Sequence, residues 1–175
     1  MEHTFSVKNA AETKALGRAL ARYVRAGDLV MLNGNLGAGK TTFTQGLGAG
    51  MNVRGQVSSP TFIVARVHPP LQEGGVPLIH ADAYRITDTT DLETLDLESS
   101  LDQAVTVIEW GEGKTEGLSE DRLEIFVKRP EGDLALPAPG QVVDLTNVDD
   151  GCREITMIGH GVRWAAFDFA VLERK

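Results

Sequence analysis

The run Gly34-Asn35-Leu36-Gly37-Ala38-Gly39-Lys40-Thr41 matches the G-x-x-x-x-G-K-S/T phosphate-binding loop. Such a loop requires a strand before it and a helix after it. Leu29-Val30-Met31-Leu32 is an uninterrupted apolar run, the pattern of a strand buried on both faces of a mainly parallel sheet. Lys40-Thr41-Thr42-Phe43-Thr44-Gln45 can open a helix. The glycines let the backbone curl so that successive N–H groups turn toward a β-phosphate, and the positive end of the helix dipole adds to the attraction. In such a loop Lys40 reaches the β- and γ-phosphates and the Thr41 hydroxyl ligates Mg²⁺. A chain with 19 glycines can match the string by chance, but the flanking strand and helix argue against it. The loop predicts a nucleoside-triphosphate site.

At 175 residues and 42% hydrophobic content, the chain can bury one substantial core, so a single domain spanning 1–175 is expected. The net charge of −8 opposes direct adhesion to a polyanion, so any RNA is expected to be held through another protein. The single cysteine, Cys152, excludes an internal disulfide, and Met1-Glu2-His3-Thr4 has neither the basic start nor the apolar stretch of a signal peptide. A cytoplasmic location is expected. No apolar run approaches the ~20 residues needed to span a bilayer.

Phe5-Ser6-Val7 reads as a short first strand, followed by a helix from about Ala10 to Arg25. Asn9 and Glu12 have the form of a capping box, and Gly27 is placed to end the helix. Leu16, Leu20 and Tyr23/Val24 form its apolar face; Lys14, Arg18, Arg22 and Arg25 form a basic stripe, read as a solvated face or a partner contact. The glycines at 46, 48 and 50 are expected to end the loop helix. Strands follow at Phe62 to Val67 and at Leu78-Ile79-His80 up to Asp82, with a Pro/Gly-rich surface excursion between them. Thr89 to about Gln103 reads as an acidic amphipathic helix, and Val105-Thr106-Val107-Ile108 as a doubly buried strand ending at Glu109. From about 120 to 175, Leu123 to Lys128, Val142 to Leu145 and Glu154 to Ile158 suggest antiparallel strands, with Asp150-Gly151 as a turn. Arg163 to Lys175 suggests a closing helix with Trp164 and Phe167 inward. The expected class is therefore α/β, a P-loop NTPase-like three-layer fold. A nucleotide-binding part over about 9–112 carries a mainly parallel central sheet, with antiparallel strands appended.

Phosphoryl transfer needs a carboxylate to fix Mg²⁺ and a group to orient the attacking oxygen. In open α/β sheets ligands lie at the carboxyl ends of strands, where both Asp82 and Glu109 fall. Glu109, after four apolar or β-branched residues, has the form of a Walker B acid. Asp82 is then placed to position water or reinforce the metal shell, although the two roles can be exchanged. Thr61, in a Ser-Pro-Thr segment, reads as turn chemistry or as a γ-phosphate sensor on a switch loop. His80 shares a strand face with Asp82 and can reach site groups, though a satisfied core histidine is the plainer reading. Trp110 reads first as packing, Cys152 as a small hydrophobe.

These residues together resemble the TsaE (YjeE) ATPases, small bacterial proteins required for threonylcarbamoyladenosine in tRNA anticodon loops. The loop through Thr42-Phe43, Ser59-Pro60-Thr61-Phe62, His80-Ala81-Asp82-Ala83-Tyr84-Arg85 and Ile108-Glu109-Trp110 occur in that family's order and rough spacing. The likeness runs from about Asn9 to Glu112. It implies an ATPase, using ATP and Mg²⁺, that acts on a complex of the transferase TsaD and its partner TsaB and meets tRNA only through them. It further implies Asn35, Leu36, Gly37, Ala38, Gly39, Lys40, Thr41 and Thr42 around the phosphates, with Thr41 and Glu109 on the metal. Asp82 falls on an essential carboxylate and Thr61 on the switch-like loop. Asn9 to Thr13 and, by a looser match, Arg153 fall on nucleotide contacts. Ala81, Ala83 and Gly111 depart from the family's usual residues without removing a chemical group.

A small-molecule P-loop kinase is the enzymatic alternative, but no arginine-rich lid is evident. A non-hydrolysing ATP-dependent assembly switch is the alternative from the binding class. A GTPase is disfavoured because no Asn-Lys-x-Asp motif occurs, and a transporter ATPase because no Leu-Ser-Gly-Gly occurs.

Overall fold

A computed structural model of the chain describes residues 1–58, 65–84, 100–129 and 151–173. Thr61, most of the Thr89–Gln103 stretch and the Val142–Leu145 stretch lie outside them. The described residues form seven strands: β1 (Glu2–Val7), β2 (Leu29–Asn33), β3 (Ala65–His68), β4 (Leu78–Asp82), β5 (Val105–Glu109), β6 (Arg122–Lys128) and β7 (Arg153–Gly159). They make one sheet of order β1-β7-β6-β2-β5-β4-β3. The four central strands β6, β2, β5 and β4 are mutually parallel; β3 and β7 are added antiparallel to them on either side, and β1 pairs antiparallel with β7 at the edge. Every residue of β2 and β5 is buried, as their apolar runs require.

Two helices, α1 (Ala10–Leu20) and α2 (Lys40–Gly50), cover one face of this sheet. Phe43 and Leu47 of α2 and Leu16 and Leu20 of α1 pack there with Val30, Leu32, Val105 and Val107. The opposite face buries a smaller cluster that includes Leu29, Met31, Ile79 and Ile108. The start of α1 follows the capping reading: the Glu12 amide donates to Asn9 Oδ1 at 2.9 Å, and the Glu12 carboxylate accepts from the Lys8 amide at 2.8 Å. Its end does not. The helix stops at Leu20 and turns follow, while Gly27, at φ 95°, shapes the turn into β2. Lys14, Arg18, Arg22 and Arg25 are all exposed, the last two beyond the helix.

Three other expectations need correction. Gly46 and Gly48 do not end α2; they lie inside it, and the helix runs through Gly50. Gly46 is a glycine because the helices cross there: a Cβ on it would strike the Lys14 carbonyl of α1, as one on Gly17 would strike the Phe43 carbonyl of α2, whereas a Cβ on Gly48 would crowd the side chains of Val57, Leu78 and Val53. The 122–128 strand is not merely an antiparallel addition, since β6 pairs in parallel with β2 as well as antiparallel with β7. The closing segment is not one helix. A short helix, α3 (Gly161–Trp164), and a 3₁₀ turn (Phe169–Glu173) carry Trp164 and Phe169 fully into the core, with Phe167 half-buried beside them. Arg163 anchors this segment, donating to both oxygens of the buried Asp28 at 3.0 and 3.1 Å.

Replacing an ordinary helix glycine by alanine stabilises by about 1 kcal/mol. At Gly46 the sign reverses, because the obstructing atoms are backbone and cannot step aside. Gly46→Ala is expected to cost about 1–3 kcal/mol, read as a lower urea midpoint with an unchanged slope. His68, buried at the end of β3, donates from Nδ1 toward the Arg54 carbonyl at 3.3 Å, while its Nε2 has no partner among the described residues. Burial pushes its pKa below the ordinary 6.5, with smaller depressions from His80 and Arg66 and an opposing rise from the Arg54 carbonyl. The unfolded chain therefore binds a proton at His68 more readily than the folded one, so stability is lost as pH falls from about 6.5. Unfolding free energies between about pH 7.5 and about pH 5 are expected to fall less in His68→Gln than in the unsubstituted protein.

Candidate functional site

Gly34 to Thr41 connects β2 to α2, and the sharpness of that connection accounts for its glycines. Gly34, Gly37 and Gly39 all have positive φ, at 147°, 73° and 112°. A Cβ on Gly34 would also strike the Val127 carbonyl of β6, so the parallel pairing of β2 and β6 demands glycine there. Gly39 caps α2 without any side-chain hydrogen bond. The first-turn amides of α2 thus face the loop with no capping side chain, as an anion site at a helix N-terminus requires.

The loop's carbonyls are held by cations. The Lys40 ammonium, in a residue 5% exposed, donates to the carbonyls of Gly34 at 2.7 Å and Asn35 at 3.1 Å. Arg153 Nε donates to the Ala38 carbonyl at 2.7 Å, and Arg129 donates to that of Gly37 at 3.2 Å. Lys40 Nζ also lies 4.0 Å from the centre of the Trp110 ring, a cation–π distance. Burial pushes the Lys40 pKa below its ordinary value, and the charges of Glu109 and Asp82 oppose that fall.

The carboxylates come from neighbouring strand ends. Asp82 and Glu109 are register partners in the parallel β4–β5 pair. The Thr41 hydroxyl donates to Glu109 Oε1 at 3.0 Å, and His80 Nε2 lies 2.8 Å from the same oxygen. Asp82 Oδ1 accepts from the Tyr84 amide at 2.8 Å. On the other side of the loop, Ala10, Thr13, Gly39, Thr42, Gly151 and Arg153 line a cleft. The structure thus gathers Lys40, Thr41, Asp82 and Glu109 at one end of the loop and Thr13, Thr42 and Arg153 at the other. Asn9 stands at the cleft's edge, its side chain engaged in capping α1. Leu36 is 90% exposed at the loop tip, and Asn35 is exposed beside it.

Three further residues meet at the site: His80 and Trp110, for which core packing is the plainer reading of the sequence beside a site role, and Arg129, which the sequence does not signal. His80 is fully buried, and its bond to Glu109 follows from its spacing: its register partner is Val107, two residues before Glu109. Trp110 has φ 61°, a conformation costly for a bulky residue, and takes an edge contact from Tyr84 at 5.4 Å. Arg129 carries no local signal, since it reaches the loop only because β6 lies beside β2.

A parallel core ending in a glycine-rich loop, with carboxylates on adjoining strand ends, defines an α/β protein with a P-loop-like fold. The family model for threonylcarbamoyl adenosine biosynthesis protein TsaE matches residues 7–134. The tRNA threonylcarbamoyladenosine biosynthesis protein TsaE of Streptomyces coelicolor is 52% identical over 160 residues, covering 91% of this chain and 98% of its own length. The protein of that name from Bacillus subtilis is 39% identical over 125 residues, 71% of this chain and 77% of its own. The crystal structure of Bacillus subtilis YdiB matches with a TM-score of 0.70 at 30% identity, covering 99% of this chain and 95% of that one. The chain belongs to the TsaE family of tRNA threonylcarbamoyladenosine biosynthesis.

A buried, charge-assisted hydrogen bond contributes about 1.5–3 kcal/mol. Arg153→Ala removes the one on Ala38 and is expected to raise amide exchange across the 34–41 loop by about tenfold or more. The later turns of α2 are expected to keep their protection, as read by hydrogen-exchange mass spectrometry.

Proposed function

We propose that this protein is the ATP-binding and ATP-hydrolysing component of the tRNA N6-threonylcarbamoyladenosine machinery, acting on a TsaB–TsaD type transferase complex. The observation that carries the reading is the Thr41–Glu109 hydrogen bond, because it joins the end of the phosphate loop to a strand-end carboxylate. Loop amides and Lys40 would hold the phosphates. Thr41 and Glu109 would hold Mg²⁺, and their paired oxygens suit a hard cation. Among the described residues, no cluster of three or more His, Cys, Asp or Glu is arranged to hold a metal alone. An ion held by the two protein oxygens would take its remaining ligands from water and phosphate. When bound, such an ion neutralises charge on the transferring phosphoryl group.

The chain's own residues have separable tasks in this reading. Asp82, on the neighbouring strand end, orients the attacking water or reinforces the metal shell. Thr13, Thr42 and Arg153 line the cleft that would take the nucleoside end. No second acceptor site is needed, because the work of hydrolysis goes into the partner complex, and tRNA is met through those partners. Among the described residues no helix is long and apolar enough to cross a membrane, and a cytoplasmic location suits this role.

Turnover of ATP is expected to be slow for the protein alone and to rise when TsaB and TsaD homologues are added; unchanged turnover in an assembled complex would overturn the reading. Glu109→Ala is expected to keep its circular dichroism spectrum while Mg²⁺-dependent hydrolysis falls by about 100-fold or more. Depletion in cells should lower threonylcarbamoyladenosine in tRNA nucleosides, measured by mass spectrometry.

A further inference from the structure

We infer that His80 is a positioning residue that holds the Glu109 carboxylate in its metal-binding orientation by donating a hydrogen bond from Nε2. The inference rests on the ATPase reading and deepens it. His80 is completely buried and Glu109 nearly so, and their 2.8 Å contact is shorter than the 3.0 Å contact from Thr41 to the same Oε1. An ionised carboxylate can only accept, so Nε2 carries the hydrogen and the ring's orientation is set by that bond.

The second ring nitrogen gives the independent observation. His80 Nδ1 is buried and has no hydrogen-bond partner among the described residues. An imidazole retained for stability alone would be expected to satisfy both nitrogens, or to be replaced by an apolar side chain of similar volume. Here one nitrogen goes unsatisfied while the other meets the oxygen that also accepts from the loop threonine. The register makes the contact diagonal: His80 pairs with Val107, and Glu109 lies two residues on along the same face of β5. Ligating side chains in metal sites are commonly oriented by such outer partners, whose loss costs about 10- to 100-fold in metal affinity or activity.

His80→Gln and His80→Asn make a matched pair. The glutamine Nε2 stands the same number of bonds from the backbone as the imidazole Nε2, whereas the asparagine nitrogen stops one bond short. Both variants place an amide in the buried space, and the thermal melt reports what each costs in packing, so a purely structural role would show in the melt and not in the Mg²⁺ gain. The measurement is the affinity for ATP by titration calorimetry, with Mg²⁺ and with EDTA, beside the rate of hydrolysis and a thermal melt. The EDTA affinity, set by the loop amides and Lys40, is expected to be unchanged in both. The gain in affinity on adding Mg²⁺ is expected to fall about 10- to 100-fold in the Asn variant, with kcat falling similarly, and to be largely restored in the Gln variant.

Equal Mg²⁺ gains in the Asn variant and the unsubstituted protein would overturn the inference and leave the ATPase reading standing. Equal losses in the Asn and Gln variants would overturn it too. If neither variant folds, the ¹⁵N spectrum of the His80 ring in the unsubstituted protein decides: a proton on Nε2 supports the inference, and a ring protonated on Nδ1 alone overturns it. Absence of Mg²⁺-dependent ATP affinity in the unsubstituted protein would remove the ATPase reading and this inference together.

Discussion

A phosphate loop turns its amides inward, and its carbonyls are left without the partners that a helix or sheet would give them. In this chain cationic side chains provide those partners: Lys40 for Gly34 and Asn35, Arg129 for Gly37, and Arg153 for Ala38. Each is a charge-assisted bond, stronger than a neutral one. Lys40 comes from the loop itself, Arg129 follows β6, and Arg153 begins β7. The loop's shape therefore depends on the sheet order β7-β6-β2. A chain of net charge −8 has concentrated positive groups where the loop needs donors.

The acidic half of the site depends on a different pairing. Parallel alignment of β4 with β5 sets Asp82 beside Glu109, and alignment of β5 with β2 sets Glu109 beside Leu32, just before the loop. Thr41 closes the circuit from the first turn of α2. A slip of one residue in either pairing would turn the strand-end carboxylate to the opposite face of the sheet. The buried apolar residues of β2 and β5 oppose such a slip, since each strand already packs against a core on both sides. Ordinary hydrophobic packing thus fixes the position of the chemistry.

This explains what could be read in the sequence. The loop, both strand-end carboxylates and the cap at Asn9 are signalled within a few residues of themselves, by spacing and by apolar runs. Gly46 and Gly48 misled because glycine marks a helix end when judged locally, whereas here Gly46 sits where α1 crosses α2 and Gly48 faces the Val57 and Leu78 side chains. The parallel side of β6 was hidden because its alternating pattern reports burial and not the direction of its neighbour. Arg163 looked like the start of a helix, yet its role is set by Asp28, far away in sequence. Arg129 was invisible for the same reason: its target is chosen by topology. Thr61 and the Ser59-Pro60-Thr61-Phe62 segment lie outside the described residues, so the switch reading gains nothing from the fold.

Under the proposed function, the arrangement around Lys40 also bears on the form in which a triphosphate would enter. The lysine is desolvated, and carbonyl dipoles, the face of Trp110 and the nearby Asp82 and Glu109 offset the cost of its charge. An entering phosphate would supply a full counter-charge at contact, in exchange for two neutral carbonyl partners. The same carboxylates that help Lys40 would repel a bare triphosphate. Carboxylates elsewhere on this acidic chain matter less, because at physiological salt their field decays over about 8 Å. The repulsion that remains is local, from Asp82 and Glu109, and a divalent cation between carboxylate and phosphate would turn it into attraction. A metal requirement would then follow from two parallel strands ending side by side at the phosphate loop.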